Sequence, residues 1–414
     1  MKLFNSEYLN NSIKTLEKWL KIKSVKARKS GDAPFGKNLK EMLLTALSDA
    51  QNLGFETVNY SNFIGEVVYG SGNDLDGLAI LCHLDVVPEG DEQKWHVPPY
   101  SLTVKDGKLY GRGVLDDKGS AVLCLYALKE LKDSGFIPNR KIKLIFGCDE
   151  ESGWGCINHY KKVAVMPKEG FSPDGDFPVI YAEKGILHIE YEFEKSDDVL
   201  NVVGGDRINM VCDKVLLKLK NQQDLIFEGR TAHGSTPEKG DNAIKKALSF
   251  LAQKGLFSLE VFNFLFNNER LFSSLSDETG ALTFSPNMIS VKNGKICIKV
   301  DCRYPATLSS AKVKKVLRKV GKFKVISHKA PLYNNKESKI VKTLLSTYNE
   351  FAKKSEKPIA IGGGTYARAL ENGVAFGPSS VEDSVCHNPN EFITIERYEQ
   401  CYQIYKNAII NLCK

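Results

Sequence analysis

Apolar residues run without a break from Leu78 to Cys82 and stop on His83. A second strand-like run, Lys141 to Phe146, alternates apolar and basic residues and leads into Gly147-Cys148-Asp149-Glu150-Glu151-Ser152-Gly153. A continuous apolar run like the first predicts a strand buried on both faces of a parallel sheet. Between the two runs, Val122, Leu125, Leu128 and Leu131 recur at helical spacing, and Gly135 suits the end of that helix. Tyr8, Leu9, Ile13, Leu16 and Leu20 predict a further amphipathic helix near the N-terminus. After Gly185 the pattern becomes alternation, with one row at Leu187, Ile189, Tyr191 and Phe193 and a later one at Ile296, Ile298, Val300 and Cys302. Helical stretches around 241–253 and 309–320 separate the later strands, and helical pattern returns near 336–353. The expected fold is an α/β domain, a mixed and mostly parallel sheet flanked by helices, built from 1–185 and 330–414, with an α+β domain inserted at 186–329.

In parallel sheets ligands bind beyond the carboxyl ends of the strands, and His83 with Asp85 falls there. An imidazole oriented by a carboxylate is a common metal-ligand arrangement; a satisfied turn histidine is the other reading. Adjacent carboxylates such as Asp149, Glu150 and Glu151 repel unless positive charge sits between them or one is protonated. Asp116 and Asp117, in Gly111-Arg112-Gly113-Val114-Leu115-Asp116-Asp117-Lys118-Gly119, taken alone fit carboxylates at a helix N-terminus. Asp174, in Ser172-Pro173-Asp174-Gly175-Asp176, and His387, in a loop near the C-terminus, taken alone fit turn chemistry. As a set, His83, Asp116, Glu151, Asp174 and His387 offer two nitrogens and three carboxylates, a mix suited to zinc, or to manganese or cobalt, rather than to calcium.

The segments His83-Leu84-Asp85-Val86-Val87-Pro88 with Trp95, Gly111-Arg112-Gly113 before Asp116-Asp117-Lys118-Gly119, Asp149-Glu150-Glu151-Ser152-Gly153 and Gly363-Gly364-Thr365-Tyr366-Ala367-Arg368 resemble, in order, those of the dinuclear zinc peptidases and deacylases. That family includes aminoacylase, acetylornithine deacetylase and succinyl-diaminopimelate desuccinylase. The likeness is nearest to its PepV-type dipeptidases, also called Xaa-His or carnosinase-like. The resemblance implies a catalytic domain with an inserted lid domain and two zinc ions per chain. Asp116 would bridge them, His83 and Asp174 would complete one site, and Glu151 and His387 the other. It further implies Glu150 as general base, Asp85 as the group holding the His83 ring, and His233 as an oxyanion donor. Asn209 and Arg303 would contact the substrate backbone and carboxylate. For His233 a surface-turn histidine, for Arg303 a strand-end salt bridge and for Asn209 a turn side chain stay open. Gly362-Gly363-Gly364 lets backbone N–H groups approach an anion, so Gly363 and Gly364 are candidates beside the substrate carboxylate, or else part of a flexible loop. The expected activity is hydrolysis of an unblocked dipeptide. The alternatives are an N-acyl amino acid deacylase with the same metal site and a catalytically silent scaffold. The 209–233 stretch looks shorter than in PepV-type enzymes, which leaves monomer and homodimer both open.

Composition narrows the partners. Among 414 residues, 57 Lys and Arg against 50 Asp and Glu leave +7, dispersed and Lys-rich apart from the run Lys312 to Lys324. That run reads as a solvated face rather than a nucleic-acid site, which would favour arginines interleaved with aromatics. Ten cysteines without a C-x-x-C pair suggest free thiols in a reducing cytoplasm. No signal-peptide core or bilayer-length apolar segment is expected, hence no membrane partner. No H-E-x-x-H, G-x-S-x-G or Walker A loop supports rival chemistry. His96, His159, His188 and His328 are expected to be structural, His328 at the return into the outer domain.

Overall fold

The computed structural model describes residues 3–379 and 386–414. The chain divides into two compact units, one of Met1–Tyr181, Asn334–Ile359 and Thr365–Lys414, the other of Ala182–Tyr333 and Ala360–Gly364.

The first unit is built on a mixed sheet. Its strands run in the order Glu56–Tyr60, Ile64–Tyr69, Ile142–Gly147, Leu78–His83, Glu169–Ser172 and Asn372–Ala375. Every residue of Leu78–His83 and of Ile142–Gly147 is buried, and the two strands pair in parallel from Leu78 opposite Ile142 to His83 opposite Gly147. Parallel pairing continues to Glu169–Ser172 and on to Asn372–Ala375. The outer pairings are antiparallel, so the sheet is less parallel than the apolar runs suggested. The cause is local. Ser61 and Asn62, both with positive φ, make a tight return between Glu56–Tyr60 and Ile64–Tyr69, and a hairpin of that kind admits only antiparallel pairing.

Helices Glu7–Leu20, Lys118–Asp133 and Ile395–Cys413 lock together through buried hydroxyl contacts, with Ser12 Oγ 3.1 Å from Tyr398 Oη and Thr15 Oγ1 2.8 Å from Tyr126 Oη. Lys118–Asp133 is buried through its first eleven residues, as expected of a helix laid on a sheet. Its start is a point of close approach: a Cβ on Gly119 would lie 2.0 Å from the Val114 carbonyl oxygen.

The second unit carries a seven-stranded sheet, antiparallel at each pairing, with Ala243–Gln253 among the helices against it. The two alternating rows face one core, because Gly185–Glu194 pairs with Lys295–Tyr304 in the register Leu187 to Cys302, Ile189 to Val300 and Tyr191 to Ile298. Residues Ala360–Gly364 belong to this unit, although the sequence pattern placed them in the outer segment. Among the bonds that hold them, Lys184 N–H donates to Ile361 O at 2.9 Å and Arg303 Nη1 donates to Gly362 O at 3.0 Å. His328 lies on the strand Phe323–Lys329 inside this unit, with Nε2 2.7 Å from Tyr304 Oη, rather than at a return between domains. All ten cysteines are free. Among the described residues, no helix is long and apolar enough to cross a membrane.

Candidate metal centre

The parallel strands deliver the candidate ligands to one end of the sheet. His83 is the last residue of its strand, Glu150 and Glu151 follow Gly147, Asp174 follows Ser172, and Asp116 immediately precedes the helix cap at Asp117. Asp116 sits between two histidines, with Oδ1 2.9 Å from His83 Nε2 and Oδ2 3.0 Å from His387 Nε2. His83 Nε2 is 3.8 Å from Asp174 Oδ2, and His387 Nε2 is 3.1 Å from Glu151 Oε2. Two groups result, His83-Asp116-Asp174 and Asp116-Glu151-His387, and they share Asp116. All five side chains proposed from the sequence as ligands are therefore brought together.

Their electrostatics call for positive charge. Burial opposes ionisation of Asp116, but the imidazoles of His387 and His83 outweigh it and hold the carboxyl far below its usual range. Asp174 is pushed up to about 7, first by burial and then by the Asp116 charge. Burial disfavours a charged His83 ring, yet the carboxylates of Asp116, Asp85 and Asp117 hold its pKa well above the ordinary value. His387 is raised in the same way by Asp116 and Glu151. In the absence of metal, the charge facing these carboxylates comes from the two imidazoles; divalent ions would fill that role with more charge and let the rings act as neutral ligands.

The donor set fits such ions. His83 Nε2 and Glu151 Oε1 are buried with no hydrogen-bond partner among the described residues. His83 Nδ1 lies 2.9 Å from the Asp85 carbonyl oxygen, an acceptor only, which places the proton on Nδ1 and turns the Nε2 lone pair toward Asp116. The main chain therefore orients this ring, while the Asp85 carboxylate, 3.7 Å from Nδ1, is engaged elsewhere. Asp85 accepts the backbone N–H of Glu150 at Oδ1 and of Glu151 at Oδ2, each at 3.0 Å, and so fixes the glutamate loop. Burial pushes its carboxyl up to about 6. Glu150 belongs to neither ligand group.

Two neighbours carry no sequence signal for their roles. Asp117 Oδ2 accepts the His83 backbone N–H at 3.1 Å, from a position that reads as a helix-terminal carboxylate. Tyr366 is buried, edge-on to the His83 ring at 6.0 Å, with its hydroxyl 2.8 Å from Cys156 Sγ.

In the second unit the remaining candidates form their own cluster. Gly234 N–H donates to Asn209 O at 2.7 Å, and a Cβ on Gly234 would meet Asp301 Oδ2 at 2.4 Å. Asp301 grips Arg303 bidentately, at 2.7 Å to Nε and 2.8 Å to Nη2. Together with the bond to Gly362 O, these use three of the guanidinium's five N–H groups. The salt bridge is thus real, and it orients the fork rather than exhausting it. His233 is exposed; its Nδ1 lies 2.6 Å from Ser235 Oγ and 3.3 Å from the Ser235 N–H. Gly363 and Gly364 follow Gly362 within this unit. His188, read as structural, has Nε2 3.4 Å from Asp301 Oδ1.

Comparison with known proteins agrees with this architecture. The chain is 32% identical over 454 residues to a Bacillus subtilis (strain 168) protein named "Putative dipeptidase YtjP", covering 97% of each. It is 32% identical over 464 residues to "Putative dipeptidase SAB1611c" of Staphylococcus aureus (strain bovine RF122 / ET3-1), covering 98% of each. Its fold is similar to the crystal structure of human carnosine dipeptidase 1, with a TM-score of 0.64 at 16% identity, over 98% of this chain and 96% of that one. With residues 79–411 matched, the chain belongs to peptidase family M20/M25/M40 and is a hydrolase acting on peptide bonds.

Proposed function

We propose that this protein is a metal-dependent dipeptidase that cleaves the amide bond of unblocked dipeptides. The observation that carries the proposal is Asp116, whose two carboxylate oxygens each meet the Nε2 of a different histidine within overlapping ligand groups. Two zinc ions, with manganese or cobalt as alternatives, would be held by His83, Asp174 and Asp116 on one side and by Glu151, His387 and Asp116 on the other. When bound, such a pair supplies an acidified water and a polarised amide carbonyl.

The protein groups do the rest. Glu150 lies outside both ligand groups and beside Glu151, and we assign its carboxylate to take a proton from the attacking water and return it to the leaving amine. Asp85 fixes the backbone from which Glu150 and Glu151 diverge. In the inserted unit, which we assign as the lid, the His233 ring is the donor for the developing oxyanion, through Nε2 when Nδ1 accepts from Ser235. The Arg303 fork, oriented by Asp301, takes the substrate carboxylate, with Asn209, Gly363 and Gly364 lining the backbone. The names of the 32%-identical relatives favour dipeptides over acylated amino acids.

The test is to strip the protein of metal, restore zinc, manganese or cobalt, and assay dipeptides beside acetylated and succinylated amino acids. Hydrolysis of the free dipeptides is expected. Turnover of acylated substrates alone would make the chain a deacylase, and inactivity with all three metals a silent scaffold.

A further inference from the structure

Glu391 is fully buried, and its carboxylate is the most heavily bonded one beside the metal centre. Oε1 accepts backbone N–H groups from Gly113 at 3.0 Å, Leu115 at 2.9 Å and Asp116 at 3.1 Å. Oε2 accepts Arg112 Nη1 at 2.7 Å and Gly113 N–H at 3.1 Å, and the Glu391 carbonyl takes the Gly111 N–H at 3.1 Å. Arg112, also buried, sends Nη2 to Asn388 O at 3.2 Å and to Pro88 O at 3.4 Å, and lies over the Trp95 ring at 5.3 Å. One ion pair thus ties three loops, those bearing His83 through Pro88, Asp116 through its own N–H, and His387 through Asn388.

The His387 loop needs such a hold. His387 and Asn390 both have φ of 63°, in the left-handed region that residues with a side chain rarely adopt. Such conformations persist only where surrounding contacts over-determine them. Asn390 contributes further anchors, accepting His96 N–H at Oδ1 and donating to Lys94 O, each at 2.7 Å.

We propose that the Arg112–Glu391 pair is a positioning device for metal binding: it presets Asp116 against His387, so that the ion held by His387 and Glu151 depends on it more than the ion held by His83 and Asp174. The asymmetry follows from what fixes each histidine. His83 ends a fully buried strand and has its own backbone and ring bonds, whereas His387 sits on a half-exposed loop that this pair secures. The proposal rests on the dinuclear reading above.

The experiment is metal titration of chelator-treated wild type, E391Q and R112K, followed by calorimetry and by the visible spectrum of the cobalt form, with thermal melting of the apoproteins alongside. Wild type should bind two ions. In E391Q an amide NH2 would confront N–H donors, and the ion held by His387 and Glu151 should lose affinity by about 10–100-fold, the usual effect of removing a partner behind a ligand. The ion held by His83 and Asp174 should change by no more than about threefold, because His83 is fixed by its own backbone and ring bonds. R112K keeps a positive charge beside Glu391 but lacks the fork that reaches Asn388 O and Pro88 O, so it should show the same selective loss; it decides the matter if E391Q does not fold. Two unchanged affinities with a lowered apoprotein melting temperature, or equal weakening of both ions, would overturn the proposal. Failure of wild type to take up two ions would instead overturn the dinuclear reading.

Discussion

Gly147→Ala is expected to destabilise the first unit by an amount that can be worked from its surroundings. Gly147 pairs with His83 and lies under Tyr366: an added Cβ would stand 2.4 Å from the hydroxyl oxygen, 2.6 Å from Cε2 and 2.8 Å from Cζ. Carbon contacts are comfortable only near 3.5 Å, so the ring must move by about 1 Å. That ring is hemmed in by Trp154 at 5.4 Å and by His83 at 6.0 Å, and forced repacking of this kind costs about 1–3 kcal/mol. Glycine-to-alanine exchange returns about 0.4–1 kcal/mol by restricting the unfolded chain. The net prediction is a loss of about 1–2 kcal/mol. All three tryptophans, Trp19, Trp95 and Trp154, lie in the first unit, so their fluorescence during urea unfolding of metal-free protein reports on it. The decisive control is Tyr366→Leu, which removes the three clashing atoms. In that background Gly147→Ala should be neutral or stabilising, a coupling of about 1–3 kcal/mol. Equal effects in both backgrounds would refute the assigned contact.

Three further outcomes follow from side chains already placed. Glu150→Gln should retain two ions yet lose at least about 100-fold in kcat; a fully active variant would remove Glu150 from proton transfer. Lys143 is buried 3.5 Å from the Glu66 carboxylate, so Lys143→Met strands that charge. Because Tyr60 and Tyr160 still donate to Glu66, the loss should fall near the lower end of the usual range, about 3 kcal/mol in urea unfolding, and a loss under about 1 kcal/mol would contradict it. Burial opposes ionisation of Glu89, but hydrogen bonds from Lys23 and Tyr100 outweigh it and hold the carboxyl at about 2, below its ordinary 4.5. Its stabilisation is therefore complete above about pH 4.5 and is lost as pH falls toward 2. Metal-free Glu89→Gln should lose less stability than wild type between pH 7 and pH 3, and parallel curves would refute this.

The candidate ligand cluster was legible because strand ends announce themselves. His83 closes a run of buried apolar residues, and the acidic group after Gly147 has no apolar environment to suit it, so periodicity and charge point to the same place. What escaped the sequence depends on contacts between distant segments. Nothing around Glu391 distinguishes it from a solvated carboxylate in an Asn-Pro-Asn turn; its meaning comes from N–H groups about 275 residues away. The role of Asp85 shifted for a similar reason, since a backbone carbonyl had already taken the His83 proton. Residues Ala360–Gly364 rejoin the inserted unit through hydrogen bonds with Lys184 and Arg303 that no local pattern encodes.

The central claim is that Asp116 is shared by two cations, and anomalous scattering from crystals soaked in zinc tests it directly. Two peaks are predicted, one against His83 and Asp174, the other against Glu151 and His387, with one Asp116 oxygen directed to each. A single peak, or zinc bound away from Asp116, would contradict the account.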